Sequence, residues 1–94
     1  MSDELPADVR ENLSDLLDRG TDAARRRDEP AVEGVVDSVE TLAHHEVADE
    51  ETRAVLLHGC RRVAATRESE PLVAAAYFEA MRRVVDAEES EGSD

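Results

Sequence analysis

The chain is 94 residues long, room for one domain, and carries 24 acidic against 11 basic side chains for a formal charge of −13. No apolar run reaches the roughly 18 residues of a membrane span, and the opening Met-Ser-Asp-Glu-Leu-Pro has neither a basic nor an apolar region, so no secretory signal is expected. A single cysteine excludes an internal disulfide or a Cys-rich zinc module, and the net charge opposes general binding to nucleic acid or anionic membrane.

The periodicity predicts an all-α chain of four helices, arranged as two tandem helical hairpins. Residues 1–5 read as an N-terminal tail. Pro6 suits the opening turn of the first helix, where its missing N–H costs nothing. Val9, Leu13, Leu16, Leu17, Gly20 and Ala24 then share a face at steps of three and four, opposite an acidic stripe of Glu11, Asp15, Asp18 and Asp22. Gly20 on the apolar face predicts a close helix–helix approach. Asp28-Glu29-Pro30 ends this helix and starts the second, because Pro disfavours helical geometry in the residue before it and the acids can cap. Val32, Val35, Val36, Val39, Leu42 and Ala43 form its buried face; Glu29, Glu33, Asp37 and Glu40 form the solvated one. The first hairpin spans 6–45.

The second hairpin spans 49–87. Asp49 is a good N-cap, with Glu50 and Glu51 in the first turn favouring the dipole. Arg53, Leu56, Leu57, Cys60, Val63, Ala64 and Arg67 share a face, and Ser69-Glu70-Pro71 repeats the earlier punctuation. Residues 88–94 have nothing to bury and are expected to form a disordered acidic tail.

Sliding the chain on itself by 41 residues aligns Ala23–Val32 with Ala64–Val73, with both alanines, one Arg, Glu, Pro and Val identical. Together with Asp49-Glu50-Glu51-Thr52-Arg53 ahead of an Ala/Leu helix and then Glu70-Pro71-Leu72-Val73, this pattern resembles HEAT-type helical-hairpin repeats over about 6–87. The resemblance implies either a HEAT-like pair or, from the same elements, a closed four-helix bundle.

The two copies differ most in their second helices. Where helix two carries Glu33, Asp37 and Glu40, the positions 41 further on hold Ala74, Phe78 and Met81, and Val85 continues the line. Taking Val73, Ala76, Tyr77, Ala80 and Val84 as the core face leaves Ala74, Phe78, Met81 and Val85 as a second, outward apolar face, rimmed by Arg82 and Arg83. Such a face is buried on two sides or meets another chain. The expected function is a non-enzymatic protein–protein interaction module using that face, its partner being a second copy or a different protein.

Charge is uneven as well: residues 1–50 hold 15 acids and 5 Arg, residues 51–87 hold 5 acids and 6 Arg, and 88–94 add four acids. Arg61, Arg62 and Arg67, with Arg82 and Arg83, form an alternative anion-binding patch for an acidic partner or, less in keeping with the absence of interleaved aromatics, a nucleic acid. The alternative to any such role is pairing with nearby carboxylates. A third reading places a metal at the His44–Asp49 segment with His44, His45, His58 and Cys60, although His58 and Cys60 do not share a helix face. No phosphate-loop, dinucleotide or nucleophile-elbow motif is present, and neither an enzyme nor a cofactor is expected.

The basic residues are all Arg with no Lys, and the core is rich in Ala and Val. That composition resembles haloarchaeal cytoplasmic proteins. It implies a cytoplasm at molar salt, where a Debye length of roughly 3 Å screens the excess charge.

Overall fold

Pro6 sits immediately before the first helix, and its carbonyl accepts the N–H of Arg10 at 3.0 Å. The computed structural model describes residues 5–92, with side chains through 87, so Met1–Glu4 of the expected N-terminal tail and 93–94 of the expected C-terminal tail lie outside the described residues. Leu5, read from sequence as part of the tail, is buried in the core. Helix α1 runs Ala7–Arg25 and buries Val9, Leu13, Leu17, Gly20, Ala23 and Ala24. It ends in a Schellman-type turn: Asp28 N–H reaches Ala23 O at 2.9 Å and Arg27 N–H reaches Ala24 O at 3.1 Å, with Arg27 at φ 60.

Helix α2 (Glu29–Glu46) has the expected cap, Asp28, whose side chain accepts the N–H of Ala31 at 3.3 Å. It buries the expected valines and Ala43. Val47, just past its end, is also buried and fixes the short connection, and Val47 O accepts from Arg53 Nη1 at 3.1 Å. Helix α3 (Glu50–Thr66) is capped by Asp49, which accepts both the N–H and the hydroxyl of Thr52. It buries Leu56, Gly59, Cys60 and Val63, while Ala64, expected inside, is exposed. Helix α4 runs Pro71–Gly92. It therefore continues past 87, where the sequence reading begins a disordered tail. Glu, Ala and Ser are compatible with helix, and no breaker occurs before Gly92.

The helices pack as a ring. The α1–α4 seam is the most extensive, followed by α3–α4, α1–α2 and α2–α3, and among the described residues the diagonal pairs α1/α3 and α2/α4 make no close backbone approach. Each neighbouring pair is antiparallel: Ser14 meets Asp86 while Arg25 meets Glu79, and Val36 meets Cys60 while Glu33 meets Arg67. This is an up-down-up-down four-helix bundle. Stacked hairpins would instead set α1 on α3 and α2 on α4, so the HEAT-like arrangement is not the one adopted. Gly20 makes the expected close approach: a Cβ there would stand 2.7 Å from the Phe78 ring.

The 41-residue offset fails for the buried faces, and with it the expected assignment of the two sides of α4. Its core side is Ala74, Ala75, Phe78, Met81 and Val85, each under 4% exposed. Val32, Val36, Val39 and Ala43 of α2 thus correspond to Ala74, Phe78, Met81 and Val85 of α4, one residue later than the repeat implies. The turn between α1 and α2 is residues 26–28, whereas that between α3 and α4 is residues 67–70. The additional turn residue starts α4 one position later, and one position rotates a helix face by about 100°.

Candidate interaction surface

Each residue expected to form the outer face of α4 has a definite place. Ala74, Phe78, Met81 and Val85 line the core, so none of them is available to a partner. Phe78 fills the space left by Gly20 on α1, and Met81 packs where Gly59 of α3 has no side chain. Arg82 crosses the α1–α4 seam to Asp18, with its Nε 3.6 Å from Asp86. Arg83 is exposed and makes no ion pair among the described residues.

The side that does face outward is the one expected inside. Val73, Tyr77, Ala80 and Val84 recur at steps of four, three and four along the α3-facing edge of α4. Val73 is 40% exposed, Ala76 is exposed, and Tyr77, Ala80 and Val84 are half-buried. On α3, Val55 (38% exposed) and Arg62 lie seven residues apart on the matching edge. The two edges meet where Arg62 Nε donates to Tyr77 Oη at 3.4 Å and the guanidinium stands 5.7 Å from the ring centroid. Leu72, at 70% exposure, stands about 100° round α4 from Val73, on the flank that carries Glu79 toward α1. Val55, Leu72 and Val73 are the large apolar side chains left exposed among the described residues, and all three belong to the second hairpin.

The arginines divide into two groups. Arg25 reaches Glu79 at 2.6 Å, Arg67 reaches Glu33 at 3.5 Å, and Arg82 reaches Asp18, so each ties neighbouring helices together. Two of them, Arg67–Glu33 and Arg82–Asp18, set arginines of the second hairpin on acids of the first, while Arg25–Glu79 runs the other way. The expected anion patch is thereby split: Arg67 and Arg82 are occupied, while Arg61, Arg62 and Arg83 have no carboxylate partner among the described residues. Arg61 and Arg83 are exposed, Arg61 following Cys60 round the α2-facing flank of α3 and Arg83 one turn after Glu79 on the α1-facing flank of α4. From Thr52 through Arg67 the sequence holds four arginines and no acid. That acid-free run and the lengthened 67–70 turn are the sequence signals that pick out this face.

The proposed metal ligands do not converge. His44 and His45 lie in the last turn of α2, where the dipole favours them, and they and His58 are exposed. Cys60 is fully buried, its Sγ 4.0 Å from Val36 O. Burial, with a smaller contribution from the Glu40 charge, pushes its thiol pKa up to about 12, which suits a small apolar filler and not a thiolate ligand. Among the described residues no group of three or more His, Cys, Asp or Glu side chains comes together as a metal site requires.

Other surface features offer less. A groove of about 540 Å³ between α1 and α2 is floored by Leu16 and Leu42, but Arg19 on its wall is paired with Asp15 at 2.9 Å and Thr41 donates to its own helix. A depression of about 370 Å³ between α1 and α4 is lined by the Arg25, Glu79 and Arg82 ion pairs. No helix among the described residues is long and apolar enough to cross a membrane.

These features define a small all-α protein, a closed four-helix bundle whose large exposed apolar side chains, among the described residues, lie on the second hairpin. The chain belongs to the DUF8101 family, a domain of unknown function, which matches residues 1–87. No curated protein and no solved structure matches it.

Proposed function

We propose that this chain is a non-enzymatic protein–protein interaction module that docks through the outer α3–α4 side. The observation that carries this reading is the segregation of the large exposed apolar side chains among the described residues, Val55, Leu72 and Val73, to the second hairpin, with Val55 and Val73 on the facing edges of α3 and α4. Exposed apolar groups scattered singly need no explanation, but their concentration in one of the two hairpins does. A high-salt cytoplasm is the setting that the acidic, lysine-free composition favours.

The test is site-specific photocrosslinking in the native cell. A benzophenone side chain at Val73 should yield a discrete protein adduct, and the same group at Asp37 on the acidic side of α2 should not. The adducted protein should also bind the purified chain and lose that binding on Val73→Glu. Equal labelling from both positions, or none from either, contradicts the assignment.

A further inference from the structure

We infer that the occupant of the α3–α4 side is a second copy of this chain, paired across a two-fold axis that crosses α3 at right angles between Val55 and His58; this rests on the docking reading above and adds the partner. The levels of the side follow from one contact. Helices α3 and α4 run antiparallel, and Arg62 stands level with Tyr77, where Nε donates to the phenol at 3.4 Å. Seven residues back along α3 and seven on along α4, two turns in each case, reach Val55 and Val84, which are therefore level as well. Ala80 lies between Tyr77 and Val84 on the same edge.

The charges of this side are self-complementary. Glu51, Val55, His58 and Arg62 recur at steps of four, three and four on the α4-facing edge of α3, and all are exposed. The facing edge of α4, from Val73 through Tyr77 and Ala80 to Val84, carries no charge. One carboxylate and one guanidinium thus stand at opposite ends of the edge, about 16 Å apart. Neither has an ion-pair partner among the described residues. A two-fold axis midway between them sets Glu51 of each copy against Arg62 of the other, an isologous contact that closes on itself. Arg suits such a carboxylate because its fork can take it bidentately.

The same axis covers the apolar groups. Val55, Ala80 and Val84 lie nearest to it and are buried together in the pair. It passes α4 midway between Val73 and Gly92, so Val73 lies against the last turn of the other copy's α4. An axis running along the helices would instead bring Glu51 level with Glu51 and Arg62 level with Arg62, which like charges oppose. The two sides that include α1 pair less well with themselves. Asp15 and Asp37 line the α1–α2 groove, and Asp18, Asp22 and Glu79 line the α1–α4 depression, where Arg19, Arg25 and Arg82 are already held within the copy. A contact about 16 Å long and two helices wide is small for a specific interface, so the dimer should form in a concentration-dependent way.

The test is the mass of the full chain by light scattering across protein concentration. Wild type is compared with Glu51→Arg, Arg62→Glu and the two combined, at the lowest KCl concentration that keeps all of them equally helical. Wild type should pass from monomer toward dimer as concentration rises. Each single reversal sets like charges together at both ends of the pairing and should weaken dimerisation at least about tenfold. The combination restores both contacts and should return affinity to within about threefold of wild type. Bulk charge acts differently: Glu51→Arg makes the chain less negative and Arg62→Glu more so, which would move the two affinities apart. Singles that move apart, or a combination no better than either single, overturn the pairing. Val55→Arg, at an exposed position beside the axis, should leave the chain monomeric, and a dimer of wild-type affinity in that variant also overturns the pairing. A wild-type chain that is monomeric at every concentration overturns the second copy. The docking reading then stands if Val73 photocrosslinks a different protein, and falls as well if no adduct forms.

Discussion

At the scale of single residues, the atoms around each helical glycine decide the sign of a substitution. Ala is favoured over Gly in a helix interior by roughly 1 kcal/mol. At Gly34 an added Cβ meets nothing within 4 Å, so Gly34→Ala should stabilise the chain by about that amount. At Gly20 the same Cβ would lie 2.7 Å from the ring of Phe78, which is itself fully buried and has nowhere to move. Overpacking costs roughly 1–3 kcal/mol and outweighs the propensity gain, so Gly20→Ala should destabilise. Denaturant midpoints of the two variants should move in opposite directions. Arg27 offers the converse case. It holds φ 60 in the α1–α2 turn, a conformation that costs a side-chain-bearing residue about 1–2 kcal/mol. Arg27→Gly should therefore raise stability by roughly 0.5–1 kcal/mol after the larger backbone entropy of glycine is offset, read from the same midpoints.

At the scale of elements, helix starts were legible because their signals are local. Asp28 and Asp49 cap as their sequence contexts indicate, and the valine face of α2 lies inside as its spacing requires. Asp49 also makes the start of α3 sensitive to pH. The Thr52 hydroxyl at 2.7 Å and the Thr52 N–H at 2.9 Å hold its carboxyl below the usual 3.8, with the Arg53 charge acting in the same sense and desolvation opposing. A carboxyl that binds its proton less tightly when folded contributes stability above its unfolded pKa and loses it as pH falls through the folded value. Asp49→Asn retains a capping oxygen and removes that titration. The melting temperature of wild type should thus exceed that of the variant at neutral pH, and the gap should narrow toward about pH 3. A constant gap would assign the cap no charge dependence.

The face presented by α4 was not legible in the same way. Its sequence is apolar on two sides, Val73, Tyr77 and Val84 on one and Ala74, Phe78 and Met81 on the other, so periodicity alone does not choose between them. The choice is made by tertiary geometry. Gly20 and Gly59 leave gaps that Phe78 and Met81 fill, and the turn at 67–70 sets the phase at which α4 enters the bundle. The candidate surface was consequently visible in outline, as a second apolar side on helix four, with its residues exchanged. The arginine patch was visible as a charge excess, but which arginines are occupied depends on acids more than thirty residues away, such as Glu33 for Arg67 and Asp18 for Arg82.

At the scale of the whole molecule, two electrostatic effects compete. Ion pairs such as Arg25–Glu79 and Arg67–Glu33 weaken in salt, but exposed pairs of this kind contribute about 0–1 kcal/mol each. The remaining charge of −13 on so small a bundle repels itself over distances that low salt leaves unscreened. The second effect dominates, so helicity and denaturation midpoint should both rise from dilute buffer to molar KCl. Full stability without salt would contradict this balance.

The docking surface depends on which side of α4 faces outward, and two adjacent positions separate the alternatives. Val73 is 40% exposed and Ala74 is fully buried. The decisive measurement is equilibrium denaturation, in molar KCl, of Val73→Glu beside Ala74→Glu. Val73→Glu is expected to remain within about 0.5 kcal/mol of wild type, as for a surface substitution. Ala74→Glu places a carboxylate in a packed core and is expected to cost several times as much, at least about 2–3 kcal/mol. The reverse order, with Val73→Glu the more damaging, would turn α4 back by one residue and remove the surface proposed for the partner.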